Sequence, residues 1–353
     1  MVLQVQGDSL VEEVLMLKDV EAGLDGVIAV HSTVLGPGAG GCRLWHYADS
    51  EAAFADAVRL AEGMSYKNAL AGLPLGGAKA VLRRPAGDFD RGKLFRAFGR
   101  AVARLEGRYV TAEDVGTGVA DMEAVAEATR HVAGLAQREG RPGGDPSPHT
   151  AFGVFMAMAH AARRRLGREL SECTVAIQGV GHVGEALAQL LHGAGARLIV
   201  ADVDSQRVAR VAVATGAEVA SSTQVLAARA DILAPCALGG VLNAESVAAI
   251  RAQLVCGAAN NQLATPADGD RLARRGILYA PDYVVNAGGI INVAGEYLGW
   301  APHEVSQRVE ATGKRLAAVL DHAEAHGLAP HAAANALARA AIAAGRVRTP
   351  VAA

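Results

Sequence analysis

Lysine is scarce in this 353-residue chain, where five lysines stand against 29 arginines. Aromatic side chains are also few, at 4%, and arginine is mixed with aspartate and glutamate so evenly that the net charge is -2. A nucleic acid partner calls for a basic patch, and a single strand for stacking rings as well, so nucleic acid is excluded as a partner. An anionic membrane surface is excluded on the same ground. No run approaches the ~20 apolar residues that span a bilayer. The opening residues, MVLQVQGDSLVEEV, carry neither a basic flank nor a signal-like apolar run. The expected location is the cytoplasm. Cys42, Cys173, Cys236 and Cys256 are scattered among small and apolar neighbours, which reads as free buried thiols rather than disulfides. No pair has the spacing of a metal knuckle, and no metal is expected.

Two of the few lysines, Lys67 and Lys79, stand twelve residues apart in GMSYKNALAGLPLGGAKAVL. An ammonium is a compact point charge for a carboxylate and can lose its proton when crowded or desolvated; a guanidinium cannot. The pair therefore reads as a binder and a base. The plainer reading, two solvated surface charges, sits poorly with Gly72, Gly76 and Gly77, which invite close approach of backbone or ligand.

The clearest organisation begins near Val175. TVAIQ (174–178) is a short apolar strand, Gly179-Val180-Gly181-His182-Val183-Gly184 turns into the helix EALAQLLHGAG, and RLIVA (197–201) is a second strand ending at Asp202. Gly179 permits the tight turn, Gly181 lets a pyrophosphate approach backbone N–H groups, and Gly184 lets helix and strand pack closely. A lone GxGxxG is weak, but here it lies between strand and helix, and its acid follows 18 residues after the last glycine. Asp202 is placed to accept hydrogen bonds from the adenosine ribose and would repel a 2'-phosphate, so NAD is expected over NADP; Arg207 leaves the alternative open. Further apolar runs, DILAPCA (231–237), QLVCGAAN (253–260) and GILYAPD (276–282), continue the α/β rhythm. Their carboxyl ends, including Cys236, Ala237, Ala258, Asn260 and Asn261, are the expected ligand side.

The first ~135 residues differ in texture. GVIAVHSTVLG (26–36) reads as a strand running into Gly36-Pro-Gly-Ala-Gly-Gly41, and a helix follows from about Ser50, as N-cap, to Ser65, with Lys67 at its end. Lys79 opens the strand AKAVL, a second helix covers about Gly92 to Leu105, and RYVTAEDVGT presents Glu113 and Asp114 after its apolar part. The connector REGRPGGDPSPH (138–149) is the best hinge. The expected class is α/β with two domains separated by a cleft: an N-terminal α/β substrate domain over 1–137 and a Rossmann-type NAD-binding domain over 146–325.

HSTVLGPGAGGCRLW, LAEGMSYKNALAGLPLGGAKAVL, GRYVTAEDVGT, DPSPHTAFGVF, AIQGVGHVG, APCALGG, GAANNQL and YAPDYVVNAGGIINVA, in this order, resemble the amino acid dehydrogenase family of glutamate, leucine, phenylalanine and valine dehydrogenases, most of all its leucine branch. The resemblance implies NAD-dependent, reversible oxidative deamination of an L-amino acid to a 2-oxo acid and ammonium. It assigns the substrate carboxylate to Lys67, catalysis to Lys79 and Asp114, substrate placement to Asn261, and a nicotinamide contact to Thr150. Asp114 relays the proton of the substrate amine, and a neutral Lys79 activates the water that attacks the iminium.

The side-chain pocket implied by the resemblance is apolar: Ala39, Gly40, Met64, Ala112, Ile290 and Val293. Ala39 opens space relative to the leucine pattern, and Ile290 gives space back. Leucine, valine and isoleucine are the expected substrates, with phenylalanine as runner-up. Two other classes stay open at this point: a 2-hydroxy acid dehydrogenase, which would want an arginine clamp where this chain offers lysines, and a non-catalytic NAD-binding protein. The resemblance also implies a homo-oligomer, an octamer if the likeness reaches quaternary structure. The alanine-rich C-terminus reads as a helix after a turn at Gly327 to Pro330, and the resemblance implies that residues 326–353 return to the first domain. The segments 7–26 and 325–353 are the least legible.

Overall fold

A computed structural model describes residues 2–3, 11–137 and 139–348. Arg138 of the expected hinge and the ends of both least legible segments lie outside them. The chain divides into two compact units, Met1–Asp145 with Ile290–Val305 and Ala338–Ala353, and Pro146–Gly289 with Ser306–Leu337.

The first unit holds a six-stranded sheet of β1 (Val2–Leu3), β2 (Glu13–Asp19), β3 (Leu24–Ser32), β4 (Gly38–Trp45), β5 (Gly76–Arg83) and β6 (Tyr109–Glu113), in the order β1-β2-β3-β5-β4-β6. β4 runs parallel to both β5 and β6, while β2, β3 and β5 are joined antiparallel. Alternation along the strands sorts the side chains onto two faces. Ile28, Val30, Cys42, Leu44, Ala78, Ala80 and Leu82 pack with Phe95, Phe98 and Val102 of α2 (Arg91–Ala103) and with α3 (Val119–Ala126). Val27, Ala29 and Val81 pack instead on Ala53, Ala57 and Ala61 of α1 (Ser50–Leu70). Lys79 shares its parity with Val81 and so belongs to the α1 face.

α1 differs from the expectation at both ends. Its N-cap is Asp49, not Ser50: the Asp49 carboxylate accepts from Ala52 N–H at 2.8 Å, and a carboxylate also suits the positive end of the helix. The helix runs on to Leu70, which places Lys67 within its last turn.

The second unit is a six-stranded parallel sheet of β7 (Thr174–Gln178), β8 (Arg197–Ala201), β9 (Glu218–Val219), β10 (Ile232–Pro235), β11 (Leu254–Val255) and β12 (Leu278–Tyr279). Its order, β12-β11-β10-β7-β8-β9, read from β9 is the 3-2-1-4-5-6 arrangement of doubly wound dinucleotide-binding sheets. α4 (Ser147–Leu166) packs beside α5 (His182–Gly193) and α12 (Thr312–His326). α6 (Ser205–Thr215), α7 (Ala244–Ala249), α8 (Pro266–Arg274) and α9 (Asp282–Val285) complete the alternation. β11 and β12 are shorter than their apolar runs, because the chain turns at once: Ala259 N–H bonds back to the Pro235 carbonyl at 2.9 Å.

The domain limits need correction. Residues 290–305, expected in the nucleotide domain, pack on the first unit through α10 (Gly288–Leu298), where Glu296 accepts from Gly134 N–H at 2.7 Å and Leu135 N–H at 3.1 Å. α11 (Pro302–Glu310) leads back, and residues 306–337 belong to the second unit, where Tyr283 donates to Asn335 Oδ1 at 2.6 Å. The return to the first unit thus starts at Ala338, within α13 (Pro330–Arg348), rather than at residue 326; there Arg339 Nε donates to the Tyr66 hydroxyl at 2.9 Å.

Candidate active site

Lys79 is 5% exposed, which no solvated surface lysine is. Its Nζ lies 2.7 Å from Asp114 Oδ2, and Arg43 Nε reaches the same oxygen at 3.2 Å. Asp114 follows β6 in a turn tied by Thr117, whose Oγ1 accepts from Asp114 N–H at 2.8 Å and donates to the Cys42 carbonyl at 2.9 Å. Burial alone would raise the Asp114 pKa, but the charges of Lys79 and Arg43 outweigh it and hold the carboxyl at about 2. It is therefore ionised across the neutral range. Beneath it, desolvation pushes the Cys42 thiol well up, which leaves that sulfur inert.

Lys67 is half-buried in the last turn of α1. Its neighbour Asn68 is fully buried and donates to the carbonyls of Gly76 at 2.5 Å and Ala39 at 3.3 Å. One turn earlier, Ser65 Oγ lies 2.7 Å from His31 Nδ1, and only the missing side chain of Gly77 leaves room for Ser65. The end of α1 is thereby fixed over the starts of β4 and β5. Of the expected pocket residues, Gly40 lies against Met64, since a Cβ on Gly40 would meet Met64 Cγ at 3.0 Å. Ala112 and Val293 share a buried cluster with Ala133, with Ile290 and Tyr297 packed on it. Ala39 is fully buried in β4, in register with Gly77 and Val110.

In the second unit, Gly179 has φ +93°, and a Cβ there would meet Ala237 Cβ at 2.7 Å. A Cβ on Gly184 would overlap the Gly179 carbonyl. Gly181 is different: nothing lies nearer to its Cβ direction than Arg207 Nη1 at 3.8 Å, and as N-cap of α5 it offers no side-chain cap. The positive end of α5 thus faces room for an anionic group, which is the fit a dinucleotide pyrophosphate requires. His182, exposed, and Val183 open the helix.

Asp202 has a duty that the expected ribose contact did not include. Its Oδ2 accepts from Val180 N–H at 2.7 Å and its Oδ1 from Asp204 N–H at 3.0 Å, so the carboxylate fastens the glycine turn to the end of β8. Arg207 is paired with Asp204 at 3.2 Å. The other expected contacts gather at the carboxyl ends of β7, β10 and β11. Burial pushes the Cys236 thiol up to about 12. Asn286 donates to the Ala258 carbonyl at 3.0 Å and to Asn260 Oδ1 at 2.9 Å. Asn261 sits at φ +52°, its N–H held by Asp282 Oδ2 at 2.6 Å and its carbonyl accepting from Gly240 N–H at 2.7 Å. Thr150 Oγ1 donates to the Pro146 carbonyl at 3.1 Å.

Sequence reasoning missed Arg43, Asn68, Thr117, Asp282 and Asn286. Only Arg43 and Asn68 carried a signal: an arginine inside a glycine-rich strand and an asparagine beside a singled-out lysine. Among the described residues no cluster of three or more His, Cys, Asp or Glu could hold a metal ion, and no helix is long and apolar enough to cross a membrane.

The family profile described as Glu/Leu/Phe/Val dehydrogenase, dimerisation domain, matches residues 12–131, and that of Glutamate/Leucine/Phenylalanine/Valine dehydrogenase matches residues 203–348. The NAD binding domain profile of D-isomer specific 2-hydroxyacid dehydrogenases matches 153–251, a span confined to the nucleotide unit. The chain is similar to leucine dehydrogenase of Bacillus cereus, 45% identical over 336 residues that span 94% of this chain and 91% of that one. It is equally similar to valine dehydrogenase of Streptomyces albus, 45% identical over 341 residues spanning 96% and 93%. Among solved structures, L-tryptophan dehydrogenase from Nostoc punctiforme matches with a TM-score of 0.82 and 36% identity over 96% of this chain and 98% of that chain.

Proposed function

Because the chain belongs to the Glu/Leu/Phe/Val dehydrogenase family of NAD-dependent amino acid dehydrogenases, we propose that it catalyses the reversible oxidative deamination of an apolar L-amino acid, with leucine, valine and isoleucine preferred. The observation that carries the reaction is the buried Lys79–Asp114 contact of 2.7 Å, an ammonium and a carboxylate placed to pass a proton between them. Lys67, steadied by Asn68, takes the substrate carboxylate. Asp114 accepts the proton of the substrate ammonium, which frees the nitrogen lone pair to support the iminium. The Gly179–Gly184 turn and the ends of β8, β10 and β11 would hold NAD, whose nicotinamide would supply the acceptor for the Cα hydride. Lys79, once the pair has released its proton, takes a proton from water as the oxygen attacks the iminium carbon. It then returns that proton through Asp114 to the nitrogen and, neutral again, takes the carbinolamine hydroxyl proton as the C–N bond breaks, so that ammonia leaves and the 2-oxo acid remains. Asp202, an acid where a 2'-phosphate would lie, supports NAD over NADP.

The apolar cluster of Ala112, Ala133, Val293, Ile290 and Tyr297 supports an uncharged side chain, as do relatives named for leucine, valine and tryptophan. An aromatic substrate is the second reading, favoured by the likeness to a tryptophan dehydrogenase and by the small Ala39. One methylene is worth only about 1–3 kcal/mol, so the two are separated by measurement. NADH formation at alkaline pH across panels of L-amino acids and 2-hydroxy acids should show specificity constants highest for the branched aliphatic substrates. A preference for phenylalanine of roughly tenfold would move the assignment to aromatics. Turnover of 2-hydroxy acids alone would overturn the reaction, and NAD binding without any turnover would make the protein non-catalytic.

The same proposal includes a homo-oligomer, octameric by the leucine dehydrogenase likeness, supported by the dimerisation-domain match over 12–131. A monomeric mass by light scattering at micromolar concentration would refute it. It also includes a cytoplasmic location, supported by four free cysteines.

A further inference from the structure

We propose that Arg43, held by Asp56, is a positioning residue for the Lys79–Asp114 pair: it keeps the Asp114 carboxylate ionised and oriented while Lys79 is without its proton. The inference rests on the reaction proposed above. The Arg43 guanidinium bridges two acids, Nε at 3.2 Å from Asp114 Oδ2 and Nη1 at 3.0 Å from Asp56 Oδ2. Lys79 meets that same Asp114 oxygen. One oxygen therefore accepts from a cation that can lose its charge and from one that cannot. When the ammonium becomes neutral, a mostly buried carboxylate loses its nearest countercharge, an arrangement that is costly unless another cation remains. Arg43 is that cation.

The bridge is secured from its far side. The Tyr47 hydroxyl donates to Asp56 Oδ2 at 2.6 Å, and Arg59 reaches Asp56 Oδ1 at 2.6 Å. Burial would raise the Asp56 pKa, yet the hydrogen bonds from Tyr47 and Arg59 and the charge of Arg43 bring it below the usual carboxylate value. Burial together with the Asp56 hydrogen bond pushes the Tyr47 hydroxyl up, so it stays a donor. Charges then alternate from Lys79 through Asp114, Arg43 and Asp56 to Arg59.

Cys42 of β4 and Tyr109 of β6 act on Asp114 across the sheet, and burial pushes both well up, leaving them neutral. Beyond Cys42, Asp121 of α3 is matched by Arg91 of α2 at 2.5 Å. Lys67 stands further along α1 and is assigned to substrate. Arg43 and Asp56 are thus the charges whose removal should shift the pair, and in opposite directions.

The test is the pH dependence of kcat for amino acid deamination by the full-length enzyme. A nearby cation favours the deprotonated pair, so Arg43→Gln should move the rising limb to higher pH by about one unit. It should lower kcat at a fixed pH below that limb about tenfold and leave NAD affinity unchanged. Asp56→Asn leaves Arg43 uncompensated and should move the limb to lower pH. Arg43→Lys keeps a charge without the fork and should restore the limb but not the full kcat. A residue that merely held the fold together would lower activity without moving the limb. Limbs that coincide with the unmodified enzyme, or that move the same way in Arg43→Gln and Asp56→Asn, overturn the proposal. If Arg43→Gln is recovered unfolded, the downward shift of Asp56→Asn decides alone. Reductive methylation of Lys79 against pH, followed by peptide mass spectrometry, reads the pair without turnover. Opposite shifts in labelling combined with full turnover by Lys79→Ala would remove the reaction assignment and keep the coupling. No shift in labelling combined with a dead Lys79→Ala would remove the Arg43 inference alone.

Discussion

The Lys79 region is assembled by side chains from β4, β5, α1 and the turn after β6, whereas the Gly179–Gly184 region is made by the backbone of six consecutive residues with help from Asp202 and Ala237. The first works through charge: a cation and a carboxylate meet where water is scarce, and each neighbouring charge adjusts them. The second works through space, since two of its glycines are filled in by the chain itself and the third is left open. A change in the first should therefore alter the chemistry and spare the fold, while a change in the second should alter packing or cofactor affinity according to which glycine is touched.

The largest effect expected from this contrast is on turnover. Lys79→Ala should lower kcat by at least ~100-fold while fluorescence titration finds NAD affinity unchanged. Lys67→Ala should instead act chiefly on the amino acid KM. A loss of NAD binding in Lys79→Ala, or an exchange of these two phenotypes, would break the division between the regions.

Within the glycine turn the contrast sharpens further. Gly184→Ala forces a methyl group onto the Gly179 carbonyl, and overpacking of about 1–3 kcal/mol should lower Tm by roughly 5 °C. Gly181→Ala meets no neighbour inside 3.8 Å. It should melt with the unmodified protein yet bind NAD about tenfold more weakly, because the methyl group occupies the approach to the helix N-terminus. Equal melting shifts in the two variants would show that the open position is not reserved for ligand.

The smallest effect is expected at Asp202, which belongs to both descriptions. Asp202→Ala removes the acceptor for Val180 and Asp204 N–H and the charge opposed to a 2'-phosphate. The ratio of NAD to NADP specificity constants should fall several-fold, with a stability loss of about 1–2 kcal/mol. An unchanged ratio would reduce Asp202 to a fastener of the turn.

The nucleotide unit was the more legible of the two because its signals are local. β7 and β8 occupy the expected residues 174–178 and 197–201, since a strand, a glycine turn and a helix are read from neighbours in sequence. In the first unit the motifs point to Lys79 and Asp114, but Arg43 stands out only as an arginine in a glycine-rich strand and Asp56 not at all, as their meaning depends on which strands and helix lie side by side. The Asp49 cap was missed because Asp49 and Ser50 are both good caps and only the backbone geometry chooses. Residues 290–305 were placed in the wrong unit because an apolar helix gives no indication of which apolar surface it will cover.

By itself, the sequence determined the α/β class, the glycine turn with its acid, and the family to which the paired lysines belong, since these follow from the order and spacing of residues near one another. Tertiary structure alone decided that Lys79 and Arg43 share one oxygen of Asp114, that Arg43 reaches on to Asp56, and that Asn68 ties α1 to β4 and β5. Those contacts join residues far apart in the chain, and no local propensity encodes a distance that only packing of the sheet and helices can set.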